Sequence, residues 1–244
     1  MMITDNDDIL GFIPARGGSK SIPSKNIALL GKRPLIAYVI HAARQSKSLN
    51  RIICSTDSNE IRDVCTKLEI PVMQRPKVLA QDDSPVIDVI VHMINLMKVK
   101  TGYVPHAIAL LQATSPFLLP QHIDKCAQLL LDNQSAGSVQ TITDFPHNYH
   151  AYNQRIVENG IVSFRFSKER ATCYNKQRKP RFYIFGNLVI TRTQALLDQQ
   201  NVFAQPSLAV PIPEPYALDV DTPDDLYLAE WYIHNGKVRL QHME

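Results

Sequence analysis

A three-layer α/β fold, with a mostly parallel sheet between helices, is predicted by two observations on this 244-residue sequence. Apolar runs at Ile9–Ile13, Arg51–Ser55, Ala107–Leu111, Gly137–Ile142 and Ile184–Ile190 alternate with helical patterns near 34–47, 58–68, 85–98 and 120–133. Such alternation implies strands joined by helical crossovers. The polar motifs, in turn, follow strands and precede helices, and right-handed crossovers bring such loops to one edge of a sheet, where open α/β folds bind ligands.

Taken in order, Ile9–Ile13 reads as a buried strand, and the periodic run Leu35, Val39, Ala42, Ala43 reads as a helix opened by Pro34. Everything between Pro14 and Arg33 is then connection, far longer than the roughly 2 to 6 residues usual between strand and helix. It begins Pro14-Ala15-Arg16-Gly17-Gly18-Ser19-Lys20 and continues to Lys25-Asn26. Paired glycines let backbone N–H groups approach an anion, and Arg16, Lys20 and Lys25 supply countercharge, so the stretch reads as a polyphosphate cradle; the competing reading is a solvated basic loop. It is no Walker loop, because Ser19 separates Gly18 from Lys20, and no dinucleotide fingerprint, because the next glycine is Gly31.

Ser55-Thr56-Asp57 follows the second strand and Gln112-Ala113-Thr114-Ser115-Pro116 the third. From about Thr143 to Arg181 the periodicity weakens into a polar excursion rich in His, Tyr, Lys and Arg, either a flexible insert or, the preferred reading, a lid and oligomer contact. His147 and His150 fall in this arm among aromatic residues without a paired acid, and are read as packing residues.

In Asp219-Val220-Asp221-Thr222-Pro223-Asp224-Asp225, acids two apart in an extended segment point the same way, so Asp219 and Asp221 are placed to share a hard cation. Magnesium takes one or two protein carboxylates and completes its shell with water and phosphate oxygens. Thr222 as N-cap and Pro223 as first helical residue assign Asp224 and Asp225 to capping and the helix dipole.

No linker divides the chain, so one domain spanning 1–244 is expected. A net charge of +3 with 20% charged residues is too mild for a nucleic-acid partner. Cys54, Cys65, Cys126 and Cys173 form no C-x-x-C pair, which points to reduced thiols rather than disulfides or structural zinc. The opening Met1-Met2-Ile3-Thr4-Asp5 lacks a signal peptide's basic and apolar regions, and no run suits a membrane span, so a cytoplasmic protein is expected.

These residues resemble the cytidylyltransferases that activate 3-deoxy-2-ulosonic acids, the CMP-acylneuraminate synthetase group. The resemblance rests on Pro14 to Lys20 with Lys25-Asn26, Ser55-Thr56-Asp57, Arg75-Pro76 with Leu79-Ala80, Leu110 to Pro116, and Asp219-Val220-Asp221-Thr222, and so spans nearly the whole chain. It implies a Rossmann-like nucleotidyltransferase fold with a protruding dimerisation arm, a homodimer, Mg2+, and conversion of CTP and a nonulosonic acid to a CMP-sugar and pyrophosphate. By the same resemblance Ala15, Arg16, Gly17, Gly18, Ser19, Lys20, Lys25 and Asn26 hold the nucleotide, Arg75 and Ser84 lie near the cytosine, Gln112 contacts the acceptor sugar, and Asp219 and Asp221 bind metal. The sequence departs from the family at Ser21 and Ala113, where Gly and Pro are common, and at Tyr183-Ile184-Phe185-Gly186, which replaces Arg-x-Asn-Gly near the sugar. Lys176 and Arg178 either replace that sugar-carboxylate contact or form a solvated turn.

Transfer at the α-phosphate calls for Arg16 and Lys20 on the triphosphate, Lys25 where charge grows, and Asp221 as metal ligand or proton acceptor, two roles that sequence does not separate. Arg16, Lys25 and Asp221 are thus the candidate catalytic residues. The alternatives are a sugar 1-phosphate nucleotidyltransferase and a noncatalytic nucleotide sensor.

Overall fold

The computed structural model describes residues 8–243, with the side chain of Lys176 excepted. The N-terminal residues read above for export lie outside that range.

Strand β1 (Ile9–Pro14) leads through a long connection to helix α1 (Leu35–Gln45). That connection ends in a two-rung ladder of β2 (Leu29–Leu30) and β3 (Arg33–Pro34), turned at Gly31 with φ of 60°, a conformation that favours glycine. There follow β4 (Arg51–Thr56), α2 (Asn59–Lys67), β5 (Val72–Gln74), α3 (Val86–Thr101), β6 (Ala107–Leu110), α4 (Pro120–Asp132) and β7 (Ser138–Thr143). Beyond β7 stands an arm holding the hairpin β8 (Arg155–Glu158) and β9 (Ile161–Phe164) and the short helix α5 (Ser167–Thr172). The chain returns as β10 (Ile184–Arg192), α6 (Thr193–Gln199), β11 (Ser207–Pro211) and α7 (Pro223–His234).

The seven-stranded sheet runs β11-β7-β10-β6-β1-β4-β5. It is mostly parallel; β10 alone runs against its neighbours β6 and β7. Strand alternation on β1 produces the layers. Ile9 and Ile13 face a core shared with α1, α2 and α4, whereas Leu10 and Phe12 face α3 and α6 on the opposite side. Each of these β1 side chains is 0–1% exposed, and burying an Ile, Leu or Phe contributes about 1.5–3 kcal/mol. A third cluster, with Leu30, Leu35, Phe117, Val220 and Ala229, fastens α7 over the end of the sheet.

The predicted strands and helices lie within a few residues of these. The differences are instructive: β5, β11 and α6 were not expected, and the arm is folded rather than irregular. Gly186 sits where the β10–β7 register shifts; a Cβ there would stand 2.5 Å from Thr141 Oγ1. That hydroxyl instead accepts from the Asn187 and Leu188 amides at 2.8 and 3.0 Å, satisfying the irregular backbone. Among the described residues all four cysteines are free thiols, and no helix is long and apolar enough to cross a membrane.

Candidate active site

Parallel pairing of β1 with β4 brings the loops that follow them together. Ala15, fully buried, donates its N–H to the Ser55 carbonyl at 3.0 Å, extending the ladder beyond the strand. The Gly17 N–H goes to Asp57 Oδ1 at 2.9 Å, and a Cβ on Gly17 would meet Ser58 Cβ at 2.8 Å. Neither Ala15 nor Gly17 lines the cleft: Ala15 offers no open side-chain surface, and Gly17, its donor already used, is required for close packing against the β4–α2 connection, whereas Gly18, Ser19, Lys20 and Ser21 do line it. Asn26 closes the loop by donating from Nδ2 to the Arg16 carbonyl at 2.8 Å, and Ser24, at φ 49°, turns the chain so that Lys25 points inward.

The acidic segment reaches the same place from the far end of the chain. The Val220 N–H donates to the Thr114 carbonyl at 2.8 Å and its side chain is fully buried, which turns Asp219 and Asp221 the other way. Asp225 reciprocates the Thr222 cap: its Oδ2 accepts from Asp221 N, Thr222 N and Thr222 Oγ1 at 3.1, 2.8 and 2.8 Å. Burial would raise the Asp225 carboxyl, but these bonds outweigh it and hold it below its usual range.

Two contacts join the halves. Lys25 Nζ, on a side chain only 14% exposed, lies 2.8 Å from Asp221 Oδ1, and Ser21 Oγ donates to the Asp221 carbonyl at 2.5 Å. Ser21 thus ties the loop to the acidic segment. The resulting cleft of about 500 Å³ is lined by Arg16, Gly18, Ser19, Lys20, Lys25 and Asn26 on one side. Arg75, Ser84, Gln112, Asp219 and Asp221 complete it. Arg75 is 4% exposed and spends Nε and Nη2 on Ser55 Oγ and O at 3.3 and 2.8 Å, leaving other guanidinium donors for a ligand. Burial lowers its pKa somewhat, with Asp57 opposing, from a value so high that the charge persists.

Loss of hydration within the cleft pushes the Asp219 carboxyl up; a Thr114 hydrogen bond and Lys25 pull it down, while Asp221 raises it further. A divalent cation would relieve both the desolvation and the repulsion. Two neighbouring carboxylates at the cleft wall suit a hard cation such as Mg2+, whose shell is otherwise largely water and phosphate. The donor set fits that ion.

Sequence reasoning missed Asp82, Val86 and Val89 on the cleft wall, and named Thr114 only as part of the motif after the third strand. Asp82 is two residues before Ser84, the one signal that could have found it. The structure does not bring Arg178 into this cleft: it belongs to a turn of the arm, Lys176–Arg178, where its guanidinium lies over Tyr174, 5.8 Å from the ring centroid, and the Lys176 side chain lies outside the described residues. His150 stacks on Phe182 at 4.8 Å, accepts from Tyr152 N at Nδ1 and meets the Pro180 carbonyl at Nε2, so both ring nitrogens serve packing.

The profile described as "Cytidylyltransferase" matches residues 10–205. The chain is 30% identical to the CMP-N,N'-diacetyllegionaminic acid synthase of Legionella pneumophila over 91% of this chain and 94% of that protein. It is 29% identical to the N-acylneuraminate cytidylyltransferase of Escherichia coli over 91% of this chain but 51% of the relative, so it spans about half of that longer protein. It is 28% identical to the pseudaminic acid cytidylyltransferase of Campylobacter jejuni, over 91% and 94% of the two chains. In fold it is similar to a CMP:2-keto-3-deoxy-manno-octonic acid synthetase complexed with CTP, at TM-score 0.71 and 14% identity over 94% of this chain and 99% of the other. The 4-diphosphocytidyl-2C-methyl-D-erythritol synthase of Anaerococcus prevotii superposes at TM-score 0.64 and 14% identity, covering 94% and 100%.

Proposed function

The chain belongs to the cytidylyltransferase family, and from that premise we propose that it couples CTP to a nonulosonic acid of the sialic type, releasing pyrophosphate and a CMP-sugar. The observation that carries this reading is the meeting of Lys25 with Asp221, which puts the phosphate loop and the acidic pair in one cleft.

In this reading the Gly18–Ser21 backbone, Arg16 and Lys20 bind the triphosphate. Buried Arg75, with Ser84 beside it, faces the base; its donors suit the acceptor edge of cytosine at N3 and O2, where uracil would present an N–H. Lys25 exchanges its contact with Asp221 for the α-phosphate, where negative charge grows during attack by the anomeric hydroxyl. Asp219 and Asp221 would hold Mg2+, which would supply charge neutralisation to phosphate oxygens and favour loss of the attacking hydroxyl's proton. Gln112, which also lines the cleft, orients the sugar in this reading.

Identities of 30, 29 and 28% to legionaminic, neuraminic and pseudaminic acid enzymes do not separate these acceptors. Pyrophosphate release from CTP, tested against a panel of these acids and of sugar 1-phosphates, is the deciding measurement. Turnover with at least one nonulosonic acid and none with the sugar phosphates is the expected result. Turnover confined to sugar phosphates, or CTP binding without release from any acceptor, would overturn the reading.

The arm is the proposed dimer contact. Val157, Ile161 and Val162 on its hairpin are 67, 73 and 63% exposed, and an open groove of about 660 Å³ at its root is lined by Phe145, Tyr149, Phe182, Tyr183 and Ile184. Apolar surface of this kind is best covered by a second copy. Sedimentation should find a dimer that an Ile161→Glu, Val162→Glu double variant converts to monomer; a wild-type monomer at micromolar concentration would refute the assignment.

A further inference from the structure

Asp82 stands between the turn Lys77–Leu79 and α3, and divides its carboxylate between two cations of the cleft. Oδ1 lies 2.8 Å from Arg16 Nη1, and Oδ2 pairs with Lys20 Nζ. It therefore occupies, with a carboxylate, the place where those cations would receive phosphate oxygens.

Folding does not account for the arrangement. The Lys20 side chain is 87% exposed and Asp82 is half exposed, and ion pairs in such settings contribute little to stability. Nor is Asp82 needed to shape its loop: Ser84 Oγ accepts from Gln81 N at 3.1 Å and donates to the Val78 carbonyl at 3.2 Å, and α3 begins after Pro85. An acid facing the phosphate-binding cations opposes any polyanion entering the site, because like charges at this range repel. Lys20 and Arg16 hold the Asp82 carboxyl below its usual range, so it stays ionised.

Building on the function proposed above, we propose that Asp82 is an internal competitor for the phosphate-binding cations, yielding to a nucleoside triphosphate and returning as pyrophosphate leaves. The exchange is of ion pairs only, with no bond made or broken. The competition falls on both anions alike, since each must take the same two cations from Asp82. CTP is anchored also through its base, against Arg75 and Ser84, and keeps its hold under this penalty, whereas pyrophosphate is held by charge alone. Asp82 thus lowers the affinity of the site for the diphosphate product to the point where it leaves readily.

The test is calorimetric titration of CTP and of inorganic pyrophosphate, at fixed magnesium and ionic strength, into wild type, Asp82→Asn and Asp83→Asn. Asparagine keeps the shape and removes the charge, and Asp83, an exposed neighbour, controls for net charge. In Asp82→Asn pyrophosphate and CTP should each bind about 10-fold more tightly, with Asp83→Asn within about 2-fold of wild type for both. Pyrophosphate affinity that is unchanged or weaker in Asp82→Asn, or equally raised in Asp83→Asn, overturns the proposal while leaving CTP binding intact. Failure of all three proteins to bind CTP would instead remove the underlying functional reading, and Asp82's role with it.

Discussion

Asp221→Ala is expected to lower turnover by about 10³-fold while leaving the fold in place, since one of two carboxylates for a divalent ion is worth several kcal/mol in the transition state. The fold survives because the structural contacts at this position are made by the backbone. The Asp221 amide still donates to Asp225, and its carbonyl still accepts from Ser21. Its side chain is 69% exposed, and its one ion pair, to Lys25, stabilises little. Asp224, on the first turn of the same helix and absent from the cleft wall, is the comparison. Asp224→Ala should keep turnover within about 2-fold, the range expected of a surface charge near a helix start. Circular dichroism on both variants, with pyrophosphate release in a magnesium titration, makes the check. Near wild-type rates in Asp221→Ala at limiting magnesium would remove the metal assignment.

The second large effect is on stability. The His122 and His242 side chains are 6% and 4% exposed, and burial lowers each pKa to about 4 from the ordinary 6.5. Nearby Lys125 adds to the lowering at His122, and His41 at His242. Geometry agrees for His122, whose Nδ1 receives the Leu119 amide at 3.3 Å and the Asn187 amide at 3.1 Å and so has no room for a proton. Between pH 6.5 and 4 the unfolded chain therefore binds more protons than the folded one, and stability falls as pH falls through that window. For one histidine the full drop is on the order of 3 kcal/mol. Asp219, raised in the folded state, acts in the opposite direction, so the histidine part is best taken as a difference between proteins. Denaturant midpoints from pH 7.5 to 4.5 should decline steeply in wild type. His122→Gln, whose amide oxygen can still accept both donors, should lose about one proton of that slope. Identical slopes in the two proteins would contradict the account.

How much of this was legible beforehand depended on the length of the signal. β1, β4 and β6 are apolar runs bounded by polar loops, and Thr222-Pro223 with Asp225 is a helix start in which each residue agrees with the next, so both were readable. β5 has three residues, too few for any period to register, and β11 ends in a proline at the edge of the sheet. The direction of β10 is not a local property. It follows from the arm replacing a helical crossover, and Ile184 to Ile190 would read the same in either direction. The members of the cleft, Arg16, Lys20, Lys25, Asp219 and Asp221, were legible because phosphate and metal chemistry demand particular charges. What each touches in the absence of a ligand was not. Gly17 packs against Ser58, and Asp82 takes two of the cations, both through contacts formed only when distant loops converge.

The arm leaves the sheet after Thr143 and comes back at Ile184, and these two residues are partners across adjacent strands. Its ends are therefore already brought together by the ladder, whatever lies between them. A segment inserted in this way is a cassette: it can be lengthened, clipped to a tight turn or exchanged without shifting a strand or disturbing the catalytic edge. Natural variation and protein engineering alike can rebuild how copies of such a chain assemble while the chemistry stays as it was.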